Sequence, residues 1–225
     1  MGQNIRLKAS DGHELGAYRA DPVGPSKGGV VVIQEIFGVN SHIRSICDRL
    51  ASEGYAAVAP AVFDRHQRDF QSGYSPDEVA EARKFIPQLD WDNVMKDTQA
   101  AIDLLQKDGK VAIIGFCLGG SVAYLAAARV PGLSSAVGYY GGKVVSVADE
   151  PPKCPTQLHY GDKDHSIPLA DVETIKQKRP DVEVFVYPDA GHGFNCDERA
   201  SYDAGSATLA WTRTLEHLRK GFAGA

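Results

Sequence analysis

Apolar residues in this chain fall into short unbroken runs and longer helical stripes, in alternation. Val30-Val31-Val32-Ile33 is a β-branched run without polar interruption, the pattern of a strand buried on both faces. A turn-rich stretch, residues 21–29, precedes it. Beyond it, Ile43, Ile46, Cys47, Leu50 and Ala51 recur at helical spacing and predict a helix over 41–53 with one apolar face. Gly54 is placed to cap its end. Residues 55–59 predict a strand stopped by Pro60. Ser75-Pro76-Asp77-Glu78 reads as a helix start, with Ser as N-cap, Pro at the first helical position and Glu three residues on. A longer helix is predicted over 90–107, with Val94, Ala101, Ile102 and Leu105 inward. Strand 111–115 then leads through a glycine-flanked turn into an alanine-rich helix, 121–129. Strands follow at 135–140, 156–160 and 182–187, with a helix at 169–178 between the last two. A final helix spans 204–220, with Gly221 as its stop. This alternation predicts an α/β fold, a mostly parallel central sheet flanked by helices, as one domain over residues 1–225 without repeats or a dividing linker. In such sheets, sites gather at the carboxyl ends of the strands.

Composition narrows the function classes. A formal net charge of -5, from 24 basic and 29 acidic residues, argues against nucleic acid or an anionic membrane surface as partner. No apolar run reaches transmembrane length, and the N-terminus lacks the apolar core of a signal peptide. The four cysteines, Cys47, Cys117, Cys154 and Cys196, form no CxxC pair and show no zinc-ligand spacing. Free thiols in a reducing cytoplasm are the expectation.

One of those thiols sits in a distinctive place. Gly115-Phe116-Cys117-Leu118-Gly119-Gly120 joins a strand to a helix. That is the setting of a G-x-S-x-G nucleophile elbow, with cysteine in place of serine. A helix N-terminus favours a thiolate there. The plainer reading is a small buried hydrophobe. A cysteine nucleophile needs a base and an orienting acid. His192, between Gly191 and Gly193, follows strand 182–187. Asp164, within residues 161–168, follows strand 156–160. Nucleophile, acid, histidine is the chain order of α/β-hydrolases. Asp162 competes for the role of acid. His165 reads as peripheral and His159, inside a strand, as structural. Gly24-Pro25-Ser26-Lys27-Gly28 also matches G-x-S-x-G, but it lies in a loop before a strand. Gln34-Glu35-Ile36-Phe37-Gly38 ends strand 30–33, where this fold supplies an oxyanion-hole amide. The two amides expected are those of Ile36 and Leu118. Glu35 then stands at the mouth of the site, as a carboxyl near the thiol.

Four segments together resemble the dienelactone hydrolase family: Gln34-Glu35-Ile36-Phe37-Gly38-Val39-Asn40, the hexapeptide 115–120, Gly161-x-x-Asp164-His165-x-x-Pro168 and Gly191-His192-Gly193-Phe194. The resemblance implies an α/β-hydrolase fold without a separate lid, acting without metal or cofactor on a small-molecule ester or lactone. It implies Cys117 as nucleophile, His192 as base, Asp164 as its acid, and Glu35 as the carboxylate that contacts the resting thiol. Two arginines bind the substrate carboxylate in the family. Arg65 fits the first by position. The second is expected four residues after the histidine, where Cys196 stands, with Arg199 out of register. The expected activity is opening of an enol-lactone such as dienelactone through an acyl-cysteine intermediate. The alternatives are a carboxylesterase of the same family or a non-catalytic binding or redox-sensing thiol protein. A monomer or small homo-oligomer is expected.

Overall fold

The computed structural model describes residues 2–223. Eight strands form a single sheet: β1 (Gln3–Lys8), β2 (Glu14–Ala20), β3 (Gly29–Ile33), β4 (Ala56–Pro60), β5 (Val111–Phe116), β6 (Leu133–Tyr139), β7 (Thr156–Gly161) and β8 (Glu183–Tyr187). Their order is β1-β2-β4-β3-β5-β6-β7-β8. β2 pairs antiparallel with β1 and β4, and every pairing from β4 through β8 is parallel. Among the described residues the seven α-helices are α1 (Ser41–Ser52), α2 (Pro76–Arg83), α3 (Trp91–Leu105), α4 (Leu118–Arg129), α5 (Val144–Val147), α6 (Leu169–Lys178) and α7 (Ala204–Ala223).

The period of two along the central strands divides the core. Val30, Val32, Ala57, Ala59, Ala112 and Ile114 face one side, with Ile43, Ile46 and Leu50 of α1 and Trp211 and Leu218 of α7. Val31, Ile33, Ala56, Val58, Val111 and Ile113 face the other, with Ile102 and Leu105 of α3 and Val122 and Ala126 of α4. This explains the unbroken β-branched runs: each central strand is covered on both faces. α4 is buried from Leu118 to Ala128, which is why it is alanine-rich rather than amphipathic.

Local signals set most element ends. Gly54, at φ 94°, follows α1. Its amide donates to Ala51 and that of Tyr55 to Leu50, the paired bonds of a Schellman cap. Ser75 and Glu78 form a reciprocal capping box at α2. Three expectations change. Pro60 is the last residue of β4, opposite Ala17, not a stop outside it. α4 begins at Leu118 rather than 121, directly on the elbow. Gly221 lies inside α7. A Cβ there would stand 2.5 Å from Ser135 Oγ, so this glycine serves close packing against β6 rather than helix termination.

Candidate active site

The elbow is built by crowding. Cys117 has φ 55° and ψ -114°, a conformation that costs on the order of 1–3 kcal/mol for a residue with a side chain. The glycines around it admit backbone where a methyl would not fit. A Cβ on Gly115 would lie 1.8 Å from Gly119 O, and one on Gly119 would lie 2.3 Å from Ile33 O and 2.6 Å from Gln34 O. The Cys117 amide donates to Tyr139 O across the β5–β6 ladder. α4 therefore starts in contact with the carboxyl end of β3, and its first amides have no intrahelical acceptor. Among the described residues, the Ile36 amide likewise has no backbone acceptor. It sits on the loop whose carbonyls Gly119 touches.

The loops after β7 and β8 complete the arrangement. Asp164 is buried, and its Oδ1 accepts from the amides of Ser166 and Ile167. Its other oxygen lies 2.7 Å from His192 Nδ1. The Cys117 side chain lies near enough to the ring to act on its charge. Burial pulls the His192 pKa down, but Asp164 and Cys117 outweigh it and carry the value up to about 10. The ring packs on Tyr140 at 5.1 Å between centroids.

The competing residues have other work. Asp162 accepts from the Asp189 amide, fixing the start of the histidine loop. His159 is buried between Tyr187 and Gln157, and burial holds its pKa well below the ordinary value. His165 lines a surface cleft of about 520 Å³ that His192, Arg199, Lys163 and Tyr202 share. Ser26 Oγ donates to Gly28 O and accepts from the Ala56 amide, securing the loop before β3.

Glu35 is 1% exposed, and its Oε1 accepts from Arg199 Nη1 at 3.0 Å. Arg199, three residues beyond the expected position, is thus the arginine delivered to this cluster. Gly193, at φ 80°, makes room for it: a Cβ there would meet Arg199 Nη1 at 2.4 Å. Spacing from the histidine concealed this, because the intervening 194–198 segment is a compact loop that brings residue 199 back. Cys196, at the expected position, is buried and donates to Tyr74 Oη at 3.3 Å. Arg65 is not brought to the cluster. Its guanidinium is held by Asp97, at 2.7 and 2.9 Å, and by Asp11, at 2.9 Å. Sequence reasoning passed over Tyr140, a positive-φ residue at 40° just past β6. Its burial raises its pKa well above the ordinary value, with Glu35, Cys196, Arg199 and Cys117 all near enough to act on it. The available signal was its place after a strand between those bearing Cys117 and Asp164.

This strand order, with an elbow after β5 and a histidine loop after β8, defines an enzyme of the α/β-hydrolase fold. The chain belongs to the dienelactone hydrolase family, whose pattern matches residues 15–222, and is a hydrolase of ester or lactone bonds. It is 40% identical over 223 residues to a provisionally named carboxymethylenebutenolidase of Synechocystis, covering 90% of each chain. It is 33% identical over 228 residues to the carboxymethylenebutenolidase of Pseudomonas putida, covering 97% of this chain and 96% of that one. A Klebsiella pneumoniae structure, provisionally named a dienelactone hydrolase, superposes with a TM-score of 0.85 at 33% identity over the whole of both chains.

Proposed function

We propose that the protein opens an enol-lactone bearing a carboxylate through an acyl-cysteine intermediate on Cys117. The observation that carries this is the Asp164–His192 pair, 2.7 Å apart, set beside Cys117 at a strained elbow. The proposed reaction starts from a Cys117 thiolate beside the His192 imidazolium, which keeps its proton to about pH 10. The sulfur attacks the carbonyl carbon, and the oxyanion is held by the Ile36 and Leu118 amides. Two such donors, fixed before the reaction, lower a barrier by several kcal/mol. The ring C–O bond breaks and its oxygen takes the His192 proton. A water then gives one proton to His192 and attacks the thioester, releasing the thiolate and a carboxylic acid that loses its proton to solvent. Asp164 keeps Nδ1 protonated throughout. Glu35, buried against Arg199 rather than standing at the mouth, answers to arriving charge.

A second reading within the class is a neutral ester as substrate. Its support is that Glu35 already neutralises Arg199, the arginine brought into this cluster. Intact-protein mass spectrometry during turnover tests both. An anionic enol-lactone is expected to leave an acyl adduct on Cys117 and to be turned over faster than neutral aryl esters. Cys117→Ala is expected to stay folded and to lose turnover. Wild-type rates in Cys117→Ala would end the mechanism. Faster turnover of neutral esters would select the second reading.

A further inference from the structure

Glu35, His42 and Cys196 bring a carboxylate oxygen, an imidazole nitrogen and a sulfur within 4.8 Å of one another, all on buried side chains. Their polar atoms are incompletely used. Glu35 Oε1 pairs with Arg199, while Oε2 is buried without a partner. His42 is 1% exposed, yet neither ring nitrogen makes a hydrogen bond. Leaving such groups buried and unsatisfied is costly, and proteins rarely do so without a ligand or function. The Asp197 carboxylate stands 3.4 Å from His42 Nδ1. A carboxylate in that place is the usual companion of a histidine that coordinates a metal through Nε2.

We propose that Glu35, His42 and Cys196 form a three-residue site for a zinc-class divalent cation, with water in the fourth position. The donors select the ion. One sulfur, one imidazole and one carboxylate suit zinc or cobalt and not the oxygen-seeking magnesium or calcium. Zinc takes sulfur at about 2.3 Å and nitrogen or oxygen at about 2.0–2.2 Å, so the three groups, now within 4.8 Å of one another, draw together on binding. Cys196 is present as a thiol donating to Tyr74. Binding replaces its S–H bond by a sulfur–metal bond, and the proton goes to solvent. The bound thiolate and carboxylate together balance the ion's charge. Binding displaces the thiol proton, so affinity rises with pH. An occupied site ties Glu35 to the metal and halts turnover. That last consequence rests on the role proposed for Glu35, whereas the binding does not.

The triad also offers a sulfur and an imidazole, so the test uses full-length Cys117→Ala, stripped of metal and titrated with Zn2+ against a chromophoric chelator. One ion per chain is expected, with release of one proton. Co2+ in its place is expected to give a thiolate-to-cobalt charge-transfer band. Adding Cys196→Ser or His42→Gln is expected to weaken binding at least about tenfold, the loss that even outer-sphere partners cause, and Cys196→Ser to abolish the band. No binding by Cys117→Ala, or binding untouched by both added changes, would overturn the proposal. In parallel, zinc should inhibit the wild type and spare Cys196→Ser. Stoichiometric binding without inhibition supports the metal site and refutes the role given to Glu35.

Discussion

Burial alone would strip the proton from the His192 ring; Asp164 and the Cys117 sulfur reverse that outcome. The sign sets a pH dependence. A histidine pKa raised in the fold contributes stability that is complete below its ordinary value near 6.5 and is lost as pH rises through about 10. The same proton sits beside the Cys117 sulfur, so alkylation of Cys117 should change its pH dependence near pH 10. Asp164→Asn removes a raising interaction, and the corresponding limb is expected to move to lower pH. Iodoacetamide rates measured across pH in both proteins check this, and a limb that stays in place would remove Asp164 from the account. At this scale the sequence was informative where chemistry is local. Glycines flank Cys117 and His192, and each of the three residues follows a strand. It was silent on Glu35, His42 and Cys196 as a group. They lie on separate loops and a helix, and no spacing rule spans them. Arg199 was hidden in the same way, since residue count from His192 does not measure distance through a folded loop.

Elements rich in one signal were legible, and those with mixed signals were not. β3, β5, α1 and α6 follow from runs and stripes, because sheets covered on both faces and amphipathic helices impose those periods. The hairpin β1–β2 was missed. Its strands mix exposed and buried positions, since β1 is an edge strand. Asp11-Gly12, with Gly12 at φ 88°, and the alternation of Ile5 and Leu7 were the available signs. α4 shows what the elbow demands of an element. Gly119 touches the carbonyls of Ile33 and Gln34, so Gly119→Ala forces α4 away from β3. The expected loss is about 3 kcal/mol or more in urea denaturation, at the upper end of overpacking costs. Gly205→Ala is the control. Only Asp203 Oδ1, at 3.6 Å, lies near its added Cβ, and a stabilisation of about 0.5–1 kcal/mol is expected from helix propensity. Equal effects at the two sites would mean that the close contact at Gly119 carries no energy.

Across the whole molecule, Arg65 joins three distant pieces: Asp11 in the turn of the β1–β2 hairpin, its own loop after β4, and Asp97 on α3. Asp97 is fully buried, and burial holds its carboxyl above the usual range even against two bonds from Arg65. Removing one partner of such a pair leaves a charge stranded in the interior. Arg65→Met is expected to cost about 3–5 kcal/mol, measured by urea denaturation, with KM for an anionic lactone unchanged in the folded protein. A raised KM at undiminished stability would instead make Arg65 a ligand for the substrate. The strand order also sets when reactivity arises. Cys117 leaves the ribosome well before the loop carrying His192, and the bond between Glu35 and Arg199 closes across 164 positions of chain. Until β8 pairs with β7, the sulfur has no imidazole beside it and behaves as an ordinary thiol. On the proposed mechanism the nascent polypeptide is therefore spared a nucleophile during synthesis, and the thiol gains its partner only as the last strand takes its place.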